Sequence, residues 1–231
     1  MIIANAIKNE IIQYASEEKA KFLPKFFKTG KGEYAAEDKF IGVTVPDQRI
    51  IAKKYYSQIS LNEIEELLHN TIHEYRLTAL IMLVYKFEKL KSETEKKQIF
   101  DFYINNWDLV DLTAPKIVGA YLFDKDKSLL YEFAKSGHLW KQRIAIISTY
   151  YFIKKKNFDD TLKISEVLLT HEHDLIHKAV GWMLREVGKM DLSVELKFLN
   201  KHFKKMPRTM LRYAIEKFDE DLRQKYLKGK I

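Results

Sequence analysis

Three tryptophans stand beside charged residues at helical spacing, and one of these pairs carries a carboxylate. Trp107 and Asp111 are four residues apart in NWDLVD, so in a helix the indole and the carboxylate would share one face. A carboxylate can stabilise an oxocarbenium-like sugar or align an attacking water, which is the chemistry of glycosidic cleavage. An indole face would attract a cationic leaving group. The pair therefore predicts a site that cleaves a bond to a sugar.

The other two tryptophans have cations beside them. Trp140 precedes Arg143 by three residues, and Trp182 precedes Arg185 by the same interval. Aromatic planes next to guanidinium groups suit a nucleic-acid backbone, with the cations on phosphates and the indoles against sugar or base. A tryptophan on a helix more often belongs to the core, so a packing role is the alternative for each of the three.

The chain repeats weakly, and the repeat places one acidic residue in a basic row. The apolar cores of EYRLTALIMLV, LVDLTAPKIVG, KQRIAIISTYY, IHKAVGWMLRE and MLRYAIEKF can be aligned. This alignment puts five residues in register at spacings of 35, 32, 35 and 34, namely Arg76, Asp111, Arg143, Lys178 and Arg212. Such a period predicts stacked helical hairpins. The row could bind a polyanion, or it could consist of structural ion pairs or solvated residues.

Helical spacing of apolar residues dominates the chain, as in EIEELLHNTIHEYRLTALIMLVYKF. We therefore predict an all-α fold, a superhelical solenoid of HEAT-like antiparallel helix pairs with a basic concave groove. Residues 1–231 are expected to form a single domain. Glycines and a proline mark residues 28–46 as a long connection. Pro115 cannot donate to the Asp111 carbonyl, which predicts a bend beside the Trp107–Asp111 turn.

The composition narrows the class of partner. Among 231 residues, 40 are Lys or Arg and 32 are Asp or Glu, which gives a formal net charge of +8. This basic excess favours nucleic acid first and an anionic membrane surface second. The chain has no cysteine, so disulfides and thiolate metal sites are excluded. The longest apolar run, near LTALIMLVY, is too short to span a bilayer, and MIIANAIKNE is too polar for a signal peptide. We expect a cytoplasmic monomer, without membrane association, or a nucleoid-associated protein if it is bacterial.

Other candidate motifs predict structure rather than chemistry. His173 and His177 in HEHDLIH have a spacing that zinc ligands can have on a helix. The stretch also fits a turn into a helix with Asp174 as N-cap, and we favour that interpretation. The GKGE turn lacks the strand and the ending of a phosphate-binding loop. No metal and no cofactor are therefore predicted.

Several of these segments resemble a known family. NWDLVD, LWKQR, HKAVGWMLREVGK, MPRTMLRYAIEKF and DKFIGVTVPDQR look like the AlkD family of DNA alkylation-repair glycosylases, and the likeness runs from about residue 18 to 226. The resemblance implies a HEAT-like solenoid that holds duplex DNA on its concave surface. It implies hydrolysis of the N-glycosidic bond of cationic N3- and N7-alkylated purines, such as 3-methyladenine and 7-methylguanine. That family does not draw the damaged base into a pocket.

The resemblance also implies roles for individual residues. Asp111 would be the catalytic carboxylate, and Trp107 and Trp182 would contact the deoxyribose at the lesion. Arg143 would hold a nearby phosphate. Together with the basic row and the tryptophan pairs, this gives six candidate DNA contacts: Arg76, Trp140, Arg143, Lys178, Arg185 and Arg212.

One departure from the family pattern leaves a second function open. Active relatives place a tyrosine on an early helix, where EKAKFLPKFFKTG offers Phe26 or Phe27, followed by a segment (residues 30–40) that contains Tyr34. The alternative is a non-catalytic HEAT-like module that binds damaged or branched DNA. A protein-binding scaffold is a third possibility, which would show little salt-sensitive affinity for DNA.

Overall fold

Helices account for the regular structure in the computed structural model of this protein. The structure describes residues 2–27, 29–31, 33, 35–100 and 107–231, without the side chains of Ile2, Gln98, Trp107 and Asp108. Within these residues the one β-type interaction is an isolated parallel bridge between Lys39 and Ile72. The prediction of an all-α fold is confirmed. The chain divides into two compact units, Met1–Thr113 and Ala114–Ile231.

The N-terminal unit is built around one long buried helix. Helix α5 is almost entirely buried because side chains from α3, α4 and α7 pack around it. Its apolar residues therefore extend around the helix instead of forming a single stripe. The helices of this unit are α1 (Ile2–Gln13), α2 (Glu17–Phe22), a 3₁₀ turn (Leu23–Phe26), α3 (Val45–Tyr55), α4 (Leu61–Leu68), α5 (His73–Lys89), α6 (Glu93–Phe100) and α7 (Trp107–Thr113).

The C-terminal unit has α12 at its centre, packed against both α10 and α14. Gly181 allows the close approach of α12 and α14, because a Cβ at this position would overlap the Met210 carbonyl oxygen. The elements are a π-helix (Ala114–Gly119), α8 (Ala120–Leu122), α9 (Ser128–Lys135), α10 (Leu139–Lys154), α11 (Asp159–Val167), α12 (Asp174–Met190), α13 (Leu192–His202), α14 (Arg208–Ala214), a 3₁₀ turn (Ile215–Lys217) and α15 (Glu220–Lys228). None of the described helices of either unit combines the length and apolar character needed to cross a bilayer.

The aligned row of the sequence corresponds to equivalent positions near the starts of five helices. Arg76 is the fourth residue of α5, whereas Asp111, Arg143, Lys178 and Arg212 are each the fifth residue of α7, α10, α12 and α14. The repeat of about 34 residues is therefore a repeat of helices, as the spacing predicts.

The predicted long connection is present and is tied to α5. Its described residues are non-helical until Thr44, whose hydroxyl caps α3, and Pro46 then lies in the first turn. Gly42 has a φ of 84° and packs where a Cβ would overlap the Ser16 carbonyl oxygen. Buried Glu74 of α5 accepts hydrogen bonds from the backbone N–H groups of Ile41, Gly42 and Val43. A single carboxylate thus fixes the end of the connection.

Pro115 coincides with a change of helix type. Helix α7 ends at Thr113, and Ala114–Gly119 continues with π-helical geometry. Pro115 has no N–H to complete an α-helical bond to the Asp111 carbonyl, which accounts for the interruption. The Thr113 hydroxyl donates to the Leu109 carbonyl at 2.8 Å. Single π-helical turns within helices are frequent at functional sites.

Candidate functional site

Asp111 lies on α7, the last helix of the N-terminal unit. Its side chain is half-buried, and α7 packs against α5. Trp107 is the first residue of the same helix, one turn before Asp111, as predicted. The Trp107 side chain lies outside the described residues. The structure thus places the carboxylate at the end of a short helix that runs into the π-helical turn.

Arg76, a predicted DNA contact, belongs to a buried ion-pair network. Only 6% of the residue is exposed. Its guanidinium donates to Asp38 at 2.6 Å and to the backbone carbonyls of Asn70 and Thr71 at 3.0 and 3.3 Å. Burial acts to raise the pKa of Asp38, but the hydrogen bond from His73 and the Arg76 charge outweigh it and lower the pKa. This is the structural role that the sequence left as the alternative, and DNA contact by Arg76 stays a prediction.

Arg143 and Trp140 are also buried, both on α10. Arg143 is 3% exposed and donates to the Leu175 carbonyl in the first turn of α12, while Trp140 is 9% exposed. The guanidinium therefore links two neighbouring helices of the C-terminal unit. Phosphate binding by Arg143 remains a prediction, and the burial of the guanidinium does not favour it.

Trp182 has a different environment from Trp140. It is half-buried on α12, and its ring centroid lies 6.1 Å from that of Tyr150 on α10. The Lys154 ammonium, one turn after Tyr150, lies 4.9 Å from the centre of the tyrosine ring. The C-terminal unit therefore brings two aromatic rings and a cation together on adjacent helices.

A cluster of charges continues from this aromatic pair. Glu186 is 4% exposed, and its carboxylate forms ion pairs with Lys189 at 2.6 Å, Arg185 at 3.4 Å and Lys154 at 3.9 Å. Arg185 also pairs with Glu216, which Lys217 approaches to 3.2 Å. Four cations and two carboxylates leave two positive charges in excess. We call these six residues the cationic cluster: Lys154, Arg185, Glu186, Lys189, Glu216 and Lys217.

The remaining predicted cations, Lys178 and Arg212, differ in whether they pair with a carboxylate. Lys178 lies 3.0 Å from Asp174, one turn earlier on α12. Arg212 is exposed on α14, and its guanidinium forms no ion pair within the part of the chain that the structure describes. Arg212 is therefore the predicted contact whose charge is most available to an anion.

The three histidines of HEHDLIH hold the start of α12. His173, rather than the expected Asp174, is the N-cap, and its ring accepts from the Leu175 N–H at 3.1 Å. His171 contacts the Gln142 side chain at 2.9 Å, and His177 contacts the His171 carbonyl. Burial and the neighbouring His173 and His177 lower the pKa of His171. These contacts give the histidines structural roles.

Sequence reasoning missed Tyr150 and the acidic members of the cationic cluster. Helices α10 and α12 align with a spacing of 35 residues, which places Tyr150 in register with Arg185, so the repeat does not pair Tyr150 with Trp182. Glu186 follows Arg185 directly in WMLREVGK, but nothing in the sequence distinguishes a buried carboxylate there from a solvated one.

Comparisons with known proteins identify the family and the fold of this chain. The sequence model of the family described as DNA alkylation repair enzyme matches residues 7–218. A solved structure, described as a predicted DNA alkylation repair enzyme from Enterococcus faecalis, has the same fold with a TM-score of 0.70 and 17% sequence identity. It covers 89% of this chain and 97% of its own. No curated protein matches the chain. The family match spans nearly the whole sequence, and the chain therefore belongs to the DNA alkylation repair enzyme family.

Proposed function

We propose that this protein is a DNA glycosylase that hydrolyses the N-glycosidic bond of cationic N3- and N7-alkylated purines in duplex DNA. The observation that supports this most is the family match over residues 7–218, together with a carboxylate at Asp111, the one acidic position of an otherwise basic row. Cationic purines suit hydrolysis without acid catalysis, because the base carries a positive charge before the bond breaks and leaves as a neutral molecule.

In the proposed reaction, Asp111 acts on the sugar. As the C1′–N bond breaks, its electron pair goes to the purine and positive charge develops on the deoxyribose. The Asp111 carboxylate stabilises that charge and aligns a water molecule. The water oxygen forms the new bond to C1′, and its proton is lost, which leaves an abasic sugar and a free base. Trp107 is proposed to contact the deoxyribose beside this carboxylate.

The C-terminal unit is proposed to bind the DNA backbone. The Tyr150–Trp182 pair offers aromatic faces for a sugar or base, and the cationic cluster offers ammonium and guanidinium groups for phosphates. Arg212 adds an exposed cation on α14, which packs against α12. Lys178 is a weaker candidate because it already has an acidic partner, and Arg76, Trp140 and Arg143 are weaker ones because they are buried.

A non-catalytic DNA-binding module is the second candidate, favoured by the contacts of Phe27. Its ring packs 5.0 Å from Phe40 and 4.8 Å from His73, measured between ring centroids. This residue carries no hydroxyl and is held, half-buried, in an aromatic cluster, whereas active relatives are expected to present a tyrosine. Tyr34, the other aromatic candidate, lies outside the described residues.

Base release distinguishes the two functions. Methylated duplex DNA is incubated with the protein, and free 7-methylguanine and 3-methyladenine are measured by chromatography. A glycosylase releases them faster than the spontaneous rate, and Asp111→Asn slows the release. A non-catalytic module binds the same DNA with strong salt dependence, releases no base above the spontaneous rate, and binds as well or better after Asp111→Asn.

A further inference from the structure

The N-terminal unit contains an apolar pocket that the proposed DNA chemistry does not use. Its volume is about 310 Å³, at the small end of the range for ligand sites. Residues from α2, the 3₁₀ turn, the connection, α3 and α5 line it. The walls are mostly apolar and include Leu23, Phe27, Phe40, Val43 and Leu77.

The polar side chains in this wall already have partners inside the protein. Glu74 accepts three backbone N–H groups, which disperse its negative charge. Gln48 donates to the Val43 carbonyl at 2.9 Å and accepts from Thr78 at 3.2 Å. His73 lies 3.3 Å from Asp38. A ligand in the pocket would therefore find apolar surface and few free hydrogen-bonding groups.

Lys19 is the exception among the lining residues. It lies on α2 and is exposed, as are the lining residues Val45 and Pro46 of α3. The Lys19 ammonium has no ion pair and no side-chain hydrogen bond with any residue that the structure describes. Lys19 thus adds one available positive charge to the lining residues of an apolar pocket.

We propose that this pocket binds a small amphiphilic anion. The apolar body of the ligand packs against the pocket walls at Phe27, Phe40 and Leu77, and its carboxylate pairs with Lys19. Apolar walls favour an alkyl or aryl body through burial of its surface. A nucleobase is a poorer fit, because its polar edge would lose water without gaining hydrogen bonds from side chains that are already satisfied.

Decanoate is a suitable probe, and methyl groups in the wall report its position. The full-length protein is labelled at the methyl groups of leucine and valine, and NMR spectra are recorded during titration. Saturable shifts at Leu23, Val43 and Leu77 are expected at millimolar decanoate. Decanol, which has the same chain without the charge, is expected to bind more weakly, and dGMP is expected to leave these signals unchanged.

Two matched pairs of variants test the parts of the site. Lys19→Gln is expected to weaken decanoate binding roughly fivefold, whereas Lys21→Gln on the same helix, outside the pocket, leaves it unchanged. Leu23→Trp is expected to fill the pocket and abolish the shifts. Phe26→Trp, at an exposed position of the same 3₁₀ turn, does not. Unfolding curves for each variant show that it is folded.

Three results would overturn the proposal. If decanoate leaves the three wall residues unshifted, the pocket does not bind this class of ligand. If decanol binds as well as decanoate, Lys19 does not recognise an anion. If dGMP shifts the same methyl groups more strongly than decanoate does, the pocket is a nucleotide site. Base release plays no part in any of these readouts, so the proposed glycosylase activity is tested separately.

Discussion

Arg185 and Glu216 form an ion pair between α12 and the 3₁₀ turn that follows α14. Arg185 is a predicted DNA contact, and 17% of its side chain is exposed, whereas Glu216 is 45% exposed. The other ion-pair partner of Arg185 is Glu186, which is buried and also pairs with Lys189. Glu216 is therefore the partner that a phosphate could displace at the smaller cost, because it can return to water.

Removal of the Glu216 charge is expected to strengthen DNA binding. In wild type, a phosphate must displace the Glu216 carboxylate from Arg185. Glu216→Gln removes this competition, so affinity for a duplex should rise roughly threefold at low salt. The dependence of log affinity on log salt should steepen by up to about one unit. Fluorescence anisotropy at several salt concentrations measures both. Glu220→Gln, which removes an exposed carboxylate of α15, is the matched control, and equal effects of the two variants would reject a specific role for the Arg185–Glu216 pair.

Truncation of Trp182 is expected to weaken DNA binding, whereas truncation of Trp140 is expected to lower stability. Trp182→Ala should weaken DNA binding roughly tenfold, because the half-buried ring beside Tyr150 is proposed to contact the DNA. Trp140→Ala should lower the free energy of unfolding by about 3 kcal/mol, because its ring is buried in the core. Anisotropy and denaturant unfolding separate the two effects. Unchanged DNA affinity in folded Trp182→Ala would remove the aromatic pair from the proposed interface.

Glu195 is expected to make stability fall as pH rises towards 8. It is 1% exposed on α13, and its Oε1 has no hydrogen-bond partner among the described atoms. Burial raises the pKa of Glu195 to about 8, although the Arg185 charge opposes this. The folded protein therefore keeps a proton that the unfolded chain releases above its ordinary pKa of 4.5. The free energy of unfolding consequently decreases between about pH 4.5 and 8, with a change on the order of a few kcal/mol.

Glu195→Gln tests this pH dependence, since the amide cannot ionise. Denaturant unfolding of both proteins at pH 5, 6.5 and 8 should give a smaller decrease for the variant. Glu220→Gln serves as the control, because the Glu220 carboxylate is exposed at the surface of α15. Parallel pH profiles for wild type and Glu195→Gln would show that Glu195 ionises normally in the folded protein.

Arg76 is expected to stabilise the N-terminal unit. The side chain of Asp38 is only 12% exposed, and Arg76→Ala removes the guanidinium that pairs with it. The free energy of unfolding should therefore fall by about 3 kcal/mol. Arg49→Ala, a partly exposed arginine of α3, should change stability little. Thermal unfolding and DNA binding are measured on the same samples. A loss of DNA affinity without a loss of stability would restore Arg76 to the row of DNA contacts.

The sequence predicted the helices and their repeat better than it predicted the exposure of individual side chains. The spacing of apolar residues depends only on the local sequence, so the five aligned helices and the connection that ends at Thr44 could be predicted. Whether a basic residue faces solvent depends on neighbours distant in the chain. Arg76 meets Asp38 and Arg143 meets the Leu175 carbonyl, whereas Arg212 at the equivalent position is exposed. Tyr150 was overlooked because a tyrosine in an apolar helix ordinarily signals packing.

The most direct measurement is the single-turnover rate of 7-methylguanine release from a duplex, with wild type and Asp111→Asn at saturating protein. Wild type should release the base well above the spontaneous rate, and Asp111→Asn should be slower by roughly 100-fold while it still binds the duplex. Asp124→Asn, an exposed aspartate of the C-terminal unit, should match wild type. Release by wild type at only the spontaneous rate, or equal release by Asp111→Asn, would contradict the proposed glycosylase mechanism.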